Sequence, residues 1–134
     1  MTKIMTVIFA ALLLSACGSS KEQMSLKEAL TAKLEGDSDL KDYKLNPADV
    51  ADCVVKGISE SLPGFPGDPR RNAYFDAYAK FVAVKSPGDA EKAIEEYTNL
   101  FGSAQQARTA AVSVTDYIMG CMGAGLEQGT AEED

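Results

Sequence analysis

The chain has 134 residues, of which 13 are basic and 20 are acidic, so its formal net charge at pH 7 is −7. This balance argues against nucleic acid as a partner and against broad electrostatic docking onto anionic phospholipid. Histidine is absent, which excludes an imidazole base, a Ser-His-Asp triad and the commonest ligand for zinc, copper and haem.

The first residues of the chain are typical of an export signal. Lys3 gives a positively charged start, and residues 4–14 are apolar except for Thr6. A permanent membrane-spanning helix needs about 20 apolar residues, so this run is too short to be one. Its length and its basic flank instead predict a signal peptide over residues 1–16.

The end of this segment resembles the lipobox of bacterial lipoproteins, with the residues Leu14, Ser15, Ala16 and Cys17. The resemblance implies cleavage before Cys17 and attachment to its thiol of diacylglycerol, which carries fatty-acyl chains such as palmitate. In Gram-negative lipoproteins an aspartate after the cysteine favours the inner membrane, and Gly18 stands there instead. The expected location is therefore the outer membrane, lipid-anchored and facing the periplasm. An ordinary N-terminal helix with a buried cysteine is the alternative.

Removal of the first 16 residues leaves 118, which is enough for one small domain. Residues 17–24 lack an apolar period and are predicted to form a flexible tether. Two cysteines then remain, Cys53 and Cys121, and an even pair in an exported protein indicates a disulfide. This bond would close a loop of about 69 residues and stabilise the fold by about 4 kcal/mol. Two independent buried thiols are the alternative.

The predicted domain, residues 25–122, consists of helices separated by proline and glycine. A capping box at Ser25 and Glu28 starts the first helix. Comparable signals start four more helices, at Asn46-Pro47, Asp68-Pro69, Ser86-Pro87 and Ser103 with Gln106. Apolar residues follow with the helical period, and no strand pattern competes. The sequence predicts an all-α bundle of four to five short helices, stapled by one disulfide.

Two segments of the domain are predicted to interrupt or end the helices. Pro63–Gly67 contains two prolines and two glycines, which cannot continue a helix. Residues 123–134 are rich in glycine and acidic residues without an apolar period, and we expect them to form a disordered acidic tail.

Acidic groups are the candidates for chemistry, and each has a simpler interpretation. Asp37, Asp39 and Asp42 could gather oxygens around calcium, but the EF-hand glycine and glutamate are missing, which favours a solvated acidic loop. Glu95 and Glu96 are typical of a solvated helix face. No serine lies in a G-x-S-x-G or S-x-x-K pattern. We expect a non-enzymatic protein without catalytic residues, cofactor or bound metal.

Aromatic residues give the strongest indication of a binding role. Seven of them lie on three consecutive predicted helices, where they suffice to fill a core. Tyr74 and Phe75 are adjacent, however, and cannot both face it. Phe65 lies in the proline-rich break, where exposure on a rigid loop is expected. Arginine and aromatic residues are enriched at binding hot spots, and the predicted contacts with a partner are Phe65, Arg70, Arg71 and Phe75.

These observations favour an accessory or binding subunit of an envelope protein complex, held in the outer membrane through Cys17. Pilotins, which escort secretion channels, are also small, helical and sometimes disulfide-bonded lipoproteins. A pilotin-like escort is therefore one alternative, by analogy of architecture alone. Another is a binder of a small apolar ligand. That function requires an open groove lined by Tyr78, Phe81 and Tyr97, and a filled core there would exclude it.

Overall fold

The computed structural model describes residues 19–131, and this part of the chain is a helical bundle without strands. The predicted signal segment and its lipidation site Cys17 lie outside the described residues, as do residues 132–134. The elements are α1 (Lys21–Glu35), α2 (Ser38–Asp42), α3 (Pro47–Ser61), a 3-10 helix (Pro69–Arg71), α4 (Asn72–Ala83), α5 (Pro87–Glu96), α6 (Thr98–Phe101) and α7 (Ala104–Ala131). The predicted all-α class is confirmed.

Capping side chains explain where most of the long helices begin. Asn46 accepts a hydrogen bond from the Ala48 N–H at the start of α3, and Ser86 accepts one from Asp89 at the start of α5. In both helices proline occupies the first helical position, where its missing N–H costs nothing. The first helix begins earlier than predicted, because Ser20 accepts from the Gln23 N–H. The predicted tether therefore overlaps α1 from Lys21 onward.

The core lies where α1 packs against α3 and α4, while α7 closes the bundle against α3 to α6. Leu26, Leu30 and Leu34 form a fully buried row along α1. Val54 and Ile58 of α3 are fully buried too. Burial of one such side chain contributes about 1.5–3 kcal/mol, so these helices hold the bundle by apolar packing. Within residues 19–131 no helix is both long and apolar enough to cross a membrane.

The predicted disulfide is confirmed, since Cys53 of α3 is bonded to Cys121 of α7 with their Cα atoms 5.8 Å apart. One turn away, Gly57 lets the same two helices approach closely. A Cβ atom at Gly57 would lie 2.9 Å from Cδ1 of Tyr117. The bond and the glycine contact together fix the spacing between α3 and α7.

The structure corrects the prediction of a disordered tail from residue 123. Helix α7 continues through Ala131, so the helical domain does not end at residue 122. Gly125 faces the connection between α2 and α3, where an added Cβ would lie 3.1 Å from Cδ2 of Leu45. Glycine-rich composition disfavours an isolated helix, but this segment extends a helix already held by the disulfide and by packing.

Candidate partner-binding site

The connection between α3 and α4, residues 62–71, places one aromatic side chain in solvent; we refer to it as the Phe65 loop. Gly64 and Gly67 have φ values of +87° and +88°, a conformation that glycine adopts at little cost. The Asp68 N–H donates to the Phe65 carbonyl oxygen at 3.0 Å and closes the turn. Phe65 is 64% exposed, as expected from the proline-rich break.

Asp68 holds the Phe65 loop in shape from beneath. Its carboxylate is buried and accepts from the Arg70 N–H at 2.9 Å and from the Arg70 guanidinium at 2.6 Å. These bonds from Arg70 keep the pKa of Asp68 below its ordinary value, so the carboxylate is charged near neutral pH. A Cβ atom at Gly64 would lie 2.8 Å from Asp68 Oδ2, so the carboxylate also packs directly against the loop backbone.

Arg71 is not an exposed contact residue, which corrects the prediction. The residue is 5% exposed, and its Nη2 donates to the Ser59 carbonyl oxygen and, at 3.1 Å, to Ser59 Oγ. Helix α3 has no basic residue in its own last turn. Arg71 therefore supplies the cation that favours a helix C-terminus, and it adds a second hydrogen bond to the Ser59 carbonyl oxygen, which also accepts from the Leu62 N–H.

Phe75 is also buried, with 4% of its surface exposed, so it too is not available as a contact. Its neighbour Tyr74 is the partly exposed member of the pair, and the Tyr74 hydroxyl donates to the Leu100 carbonyl oxygen at 3.3 Å. Of the four predicted contacts, Phe65 and Arg70 are at the surface. The Arg70 side chain is 82% exposed despite its ion pair with Asp68.

A groove of about 490 Å³ separates the Phe65 loop from the start of α1. We refer to it as the Arg71 groove, after the buried arginine among its described lining residues. No sequence pattern indicates this groove, because its two walls are far apart along the chain. The lining residues are Ser19, Ser20, Gln23, Ser59, Pro66, Gly67, Asp68, Pro69, Arg71, Asn72 and Phe75.

The aromatic residues of α4 and α6, together with Tyr97 between α5 and α6, pack against one another instead of lining an open groove. The ring of Phe81 lies 6.1 Å from Tyr78, 5.9 Å from Tyr97 and 5.8 Å from Phe101, between centroids. Most of these pairs are edge-to-face, a favourable arrangement for aromatic rings. Burial raises the pKa of Tyr97, and its hydrogen bond to Asp76 raises it further. The space that the small-ligand alternative requires is thus occupied by side chains.

Of the three aspartates that are candidate calcium ligands, Asp37 has a structural role at α2. The Asp37 carboxylate accepts from the backbone N–H of Asp39 at 2.8 Å and caps this helix. Across residues 19–131, no three histidine, cysteine or acidic side chains gather as a metal site. The segment that was expected to be an acidic loop is therefore the short helix α2, with Asp37 as its cap.

No protein-family model, curated protein or solved structure matches this chain. Its function must therefore be inferred from its own residues and their geometry.

Proposed function

We propose that this chain is a lipid-anchored, non-enzymatic binding subunit of a protein complex at the bacterial outer membrane, facing the periplasm. It contacts its partner through the Phe65 loop. The observation that carries this proposal is the exposure of Phe65 on a loop that polar contacts hold in one shape. The resemblance of Leu14–Cys17 to a lipobox is the basis for the anchor and the location.

The loop has the properties of a preorganised contact. Binding a partner normally costs conformational entropy in loops and side chains. The turn at Phe65, the buried Asp68 carboxylate and the Arg71 contact with α3 already restrict this backbone. A phenylalanine has few rotatable bonds, so little further freedom is lost when it enters a pocket on a partner.

The described part of the chain begins close to this loop. Ser19 and Ser20 line the Arg71 groove opposite Pro66 and Gly67. Cys17 is two residues before Ser19, which limits their Cα atoms to about 7 Å apart. If Cys17 carries the lipid, the Phe65 loop is at the membrane-proximal end of the bundle. A pilotin-like escort would use the same contact, with a secretion channel as the partner.

Capture from native membranes tests the binding role. The full chain, tagged after Asp134, is extracted in mild detergent and its companions are identified by mass spectrometry. We expect one envelope protein in stoichiometric amount, and about tenfold less of it with Phe65→Ala, because truncation of an aromatic hot spot costs at least about 1–2 kcal/mol. Tyr43→Ala is the matched control, since Tyr43 is exposed and precedes α3, whereas Phe65 follows it.

Two results would overturn the binding role. The chain is not a stable subunit if it is recovered alone. Phe65 is not the contact if Phe65→Ala and Tyr43→Ala lower the capture equally.

The anchor is tested separately by metabolic labelling with a palmitate analogue. We expect label on the wild-type chain and none on Cys17→Ser, whereas equal labelling of both would refute lipidation at Cys17.

A further inference from the structure

The Arg71 groove contains a buried cation with an incomplete set of hydrogen bonds. Both recorded bonds of the guanidinium come from Nη2 and go to Ser59. The Nε atom of Arg71 is buried and has no hydrogen-bond partner within residues 19–131. Such orphan donors are uncommon in folded proteins, because each has lost its hydrogen bonds to water without replacement. Arg71 therefore brings a buried guanidinium with one unsatisfied donor to the lining of the groove.

The charges around the groove leave a positive excess. Asp68 is the only carboxylate among the described residues that line it. This carboxylate is already engaged by the backbone and side chain of Arg70. With Asp68 hydrogen-bonded to Arg70, Arg71 makes its own hydrogen bonds to Ser59 at the carbonyl end of α3 and has only a weaker electrostatic attraction to Asp68. The chain as a whole has a net charge of −7, so this is a local reversal of sign.

The remaining polar lining is suited to an anion. Ser19 and Ser20 contribute hydroxyl groups and Gln23 and Asn72 contribute amides, all of which can donate hydrogen bonds. The side chains of Gln23 and Asn72 are half-buried, which places them between the solvent and the groove floor. The volume of about 490 Å³ lies within the range of about 300–1,000 Å³ that is typical of ligand pockets.

We propose that the Arg71 groove binds a carboxylate of the partner protein, from an acidic side chain or a chain terminus, beside the contact that Phe65 makes. This inference rests on the proposed binding function. Guanidinium groups pair strongly with carboxylates. An aromatic anchor next to a desolvated ion pair is a common composition of interface hot spots.

A protein carboxylate fits this site better than a phospholipid headgroup does. The net charge of −7 disfavours electrostatic binding of the chain to anionic headgroups, even where a lipid anchor holds it near the membrane. Neutral lipids also carry their phosphate beside a cationic amine, which would meet Arg71 with like charge. A carboxylate on an extended protein segment can enter the groove alone, while the rest of the partner covers Phe65.

The test places a negative charge in the groove without removing Arg71, because loss of Arg71 would also uncap α3. Asn72 is the first residue of α4, where an acidic side chain favours the helix by its dipole. Asn72→Asp should therefore fold at least as well as the wild type. We expect capture of the partner from native membranes to fall about tenfold through like-charge repulsion.

Gln105→Glu is the matched control for this variant. Gln105 is exposed in the first turn of α7, so the change in charge and the effect on the helix are the same away from the groove. We expect it to leave capture unchanged. The carboxylate site would be overturned if Asn72→Asp captured as much partner as the wild type. If Phe65→Ala still captured less partner in the same experiment, the proposed binding function would be unaffected. Loss of capture with Gln105→Glu as well would also overturn it.

Cross-linking then identifies the group that enters the groove. Gln23→benzoylphenylalanine in the full chain, irradiated in native membranes, should form a cross-link to a segment of the captured partner that contains aspartate, glutamate or a chain terminus. Replacing that acid by its amide should abolish the additional effect of Asn72→Asp in a double-mutant cycle. Cross-links to phospholipid alone would overturn the proposal in favour of a headgroup site.

Discussion

The Phe65 loop and the aromatic interior use the same residue type in opposite ways. Phe81 is 7% exposed and contacts the rings of Tyr78, Tyr97 and Phe101. Phe65 projects into solvent, and hydrogen bonds of its neighbours hold its backbone. In the interior, aromatic side chains stabilise the fold by packing on each other. In the loop, polar groups fix the shape and the aromatic side chain stays free to bind.

The largest difference between the aromatic interior and the Phe65 loop should be in how much each contributes to the free energy of unfolding. We expect Phe81→Ala to lower the free energy of unfolding by about 3–5 kcal/mol, because it leaves a cavity among three aromatic rings. Phe65→Ala should change it by no more than about 0.5 kcal/mol, as is usual for exposed positions. Chemical denaturation followed by circular dichroism measures both. Equal destabilisation by the two variants would contradict the division between interior and loop.

The disulfide should contribute to the stability of the bundle but not to partner capture by the Phe65 loop. Cys53→Ser combined with Cys121→Ser should lower the free energy of unfolding by about 2–4 kcal/mol, because the unfolded chain is no longer constrained. At a temperature where this variant is still folded, partner capture should equal that of the wild type. Reduced capture by fully folded protein would mean that the spacing of α3 and α7 determines the shape of the loop.

The glycines of the loop allow its backbone to be disturbed while Phe65 is kept. Both Gly64 and Gly67 have a positive φ, so alanine is strained at either position by about 1–2 kcal/mol. Gly64→Ala also drives a Cβ atom against Asp68, whereas no atom lies within 4 Å of one at Gly67. We expect Gly64→Ala to destabilise the chain more and to reduce capture more than its control Gly67→Ala. The reverse order would show that Asp68 does not hold the loop.

The smallest effect should be a loss of stability at acidic pH, as Asp68 beneath the loop becomes protonated. Hydrogen bonds from Arg70 lower the pKa of Asp68 in the folded chain, so this contribution to stability is present above the ordinary pKa of 3.8 and is lost as the pH falls below it. The free energy of unfolding is measured for the wild type and for Asp68→Asn at pH 7 and at pH 2.5. The difference between the two proteins should be largest at pH 7 and should shrink at pH 2.5. A larger difference at pH 2.5 than at pH 7 would contradict a stabilising charge on Asp68.

Much of the bundle could be predicted from local sequence signals. Asn46-Pro47 and Ser86-Pro87 start helices because their side chains and fixed φ act within one turn. The pairing of Cys53 with Cys121 follows once Cys17 is assigned to lipid. The exposure of Phe65 also follows locally, because prolines and glycines remove it from any helical face.

The features that the sequence did not reveal depend on contacts between distant segments. Arg71 is buried because it bonds to Ser59, twelve residues earlier in the chain, and a sequence pattern does not show which arginine will cap another helix. The choice between Tyr74 and Phe75 as the buried ring depends on how α4 rotates against α1. The helical end of α7 depends on the disulfide and on Leu45, although its composition favours disorder.

Photo-cross-linking from position 65 tests the binding role of the loop most directly. Phe65→benzoylphenylalanine in the full chain keeps an exposed aromatic group at the tip, and irradiation of native membranes records what touches it. We expect a single protein adduct that is absent when the same group is placed at the exposed Tyr43. Adducts to lipid alone, or identical adducts from both positions, would contradict the proposal that the Phe65 loop is a preformed protein-binding surface.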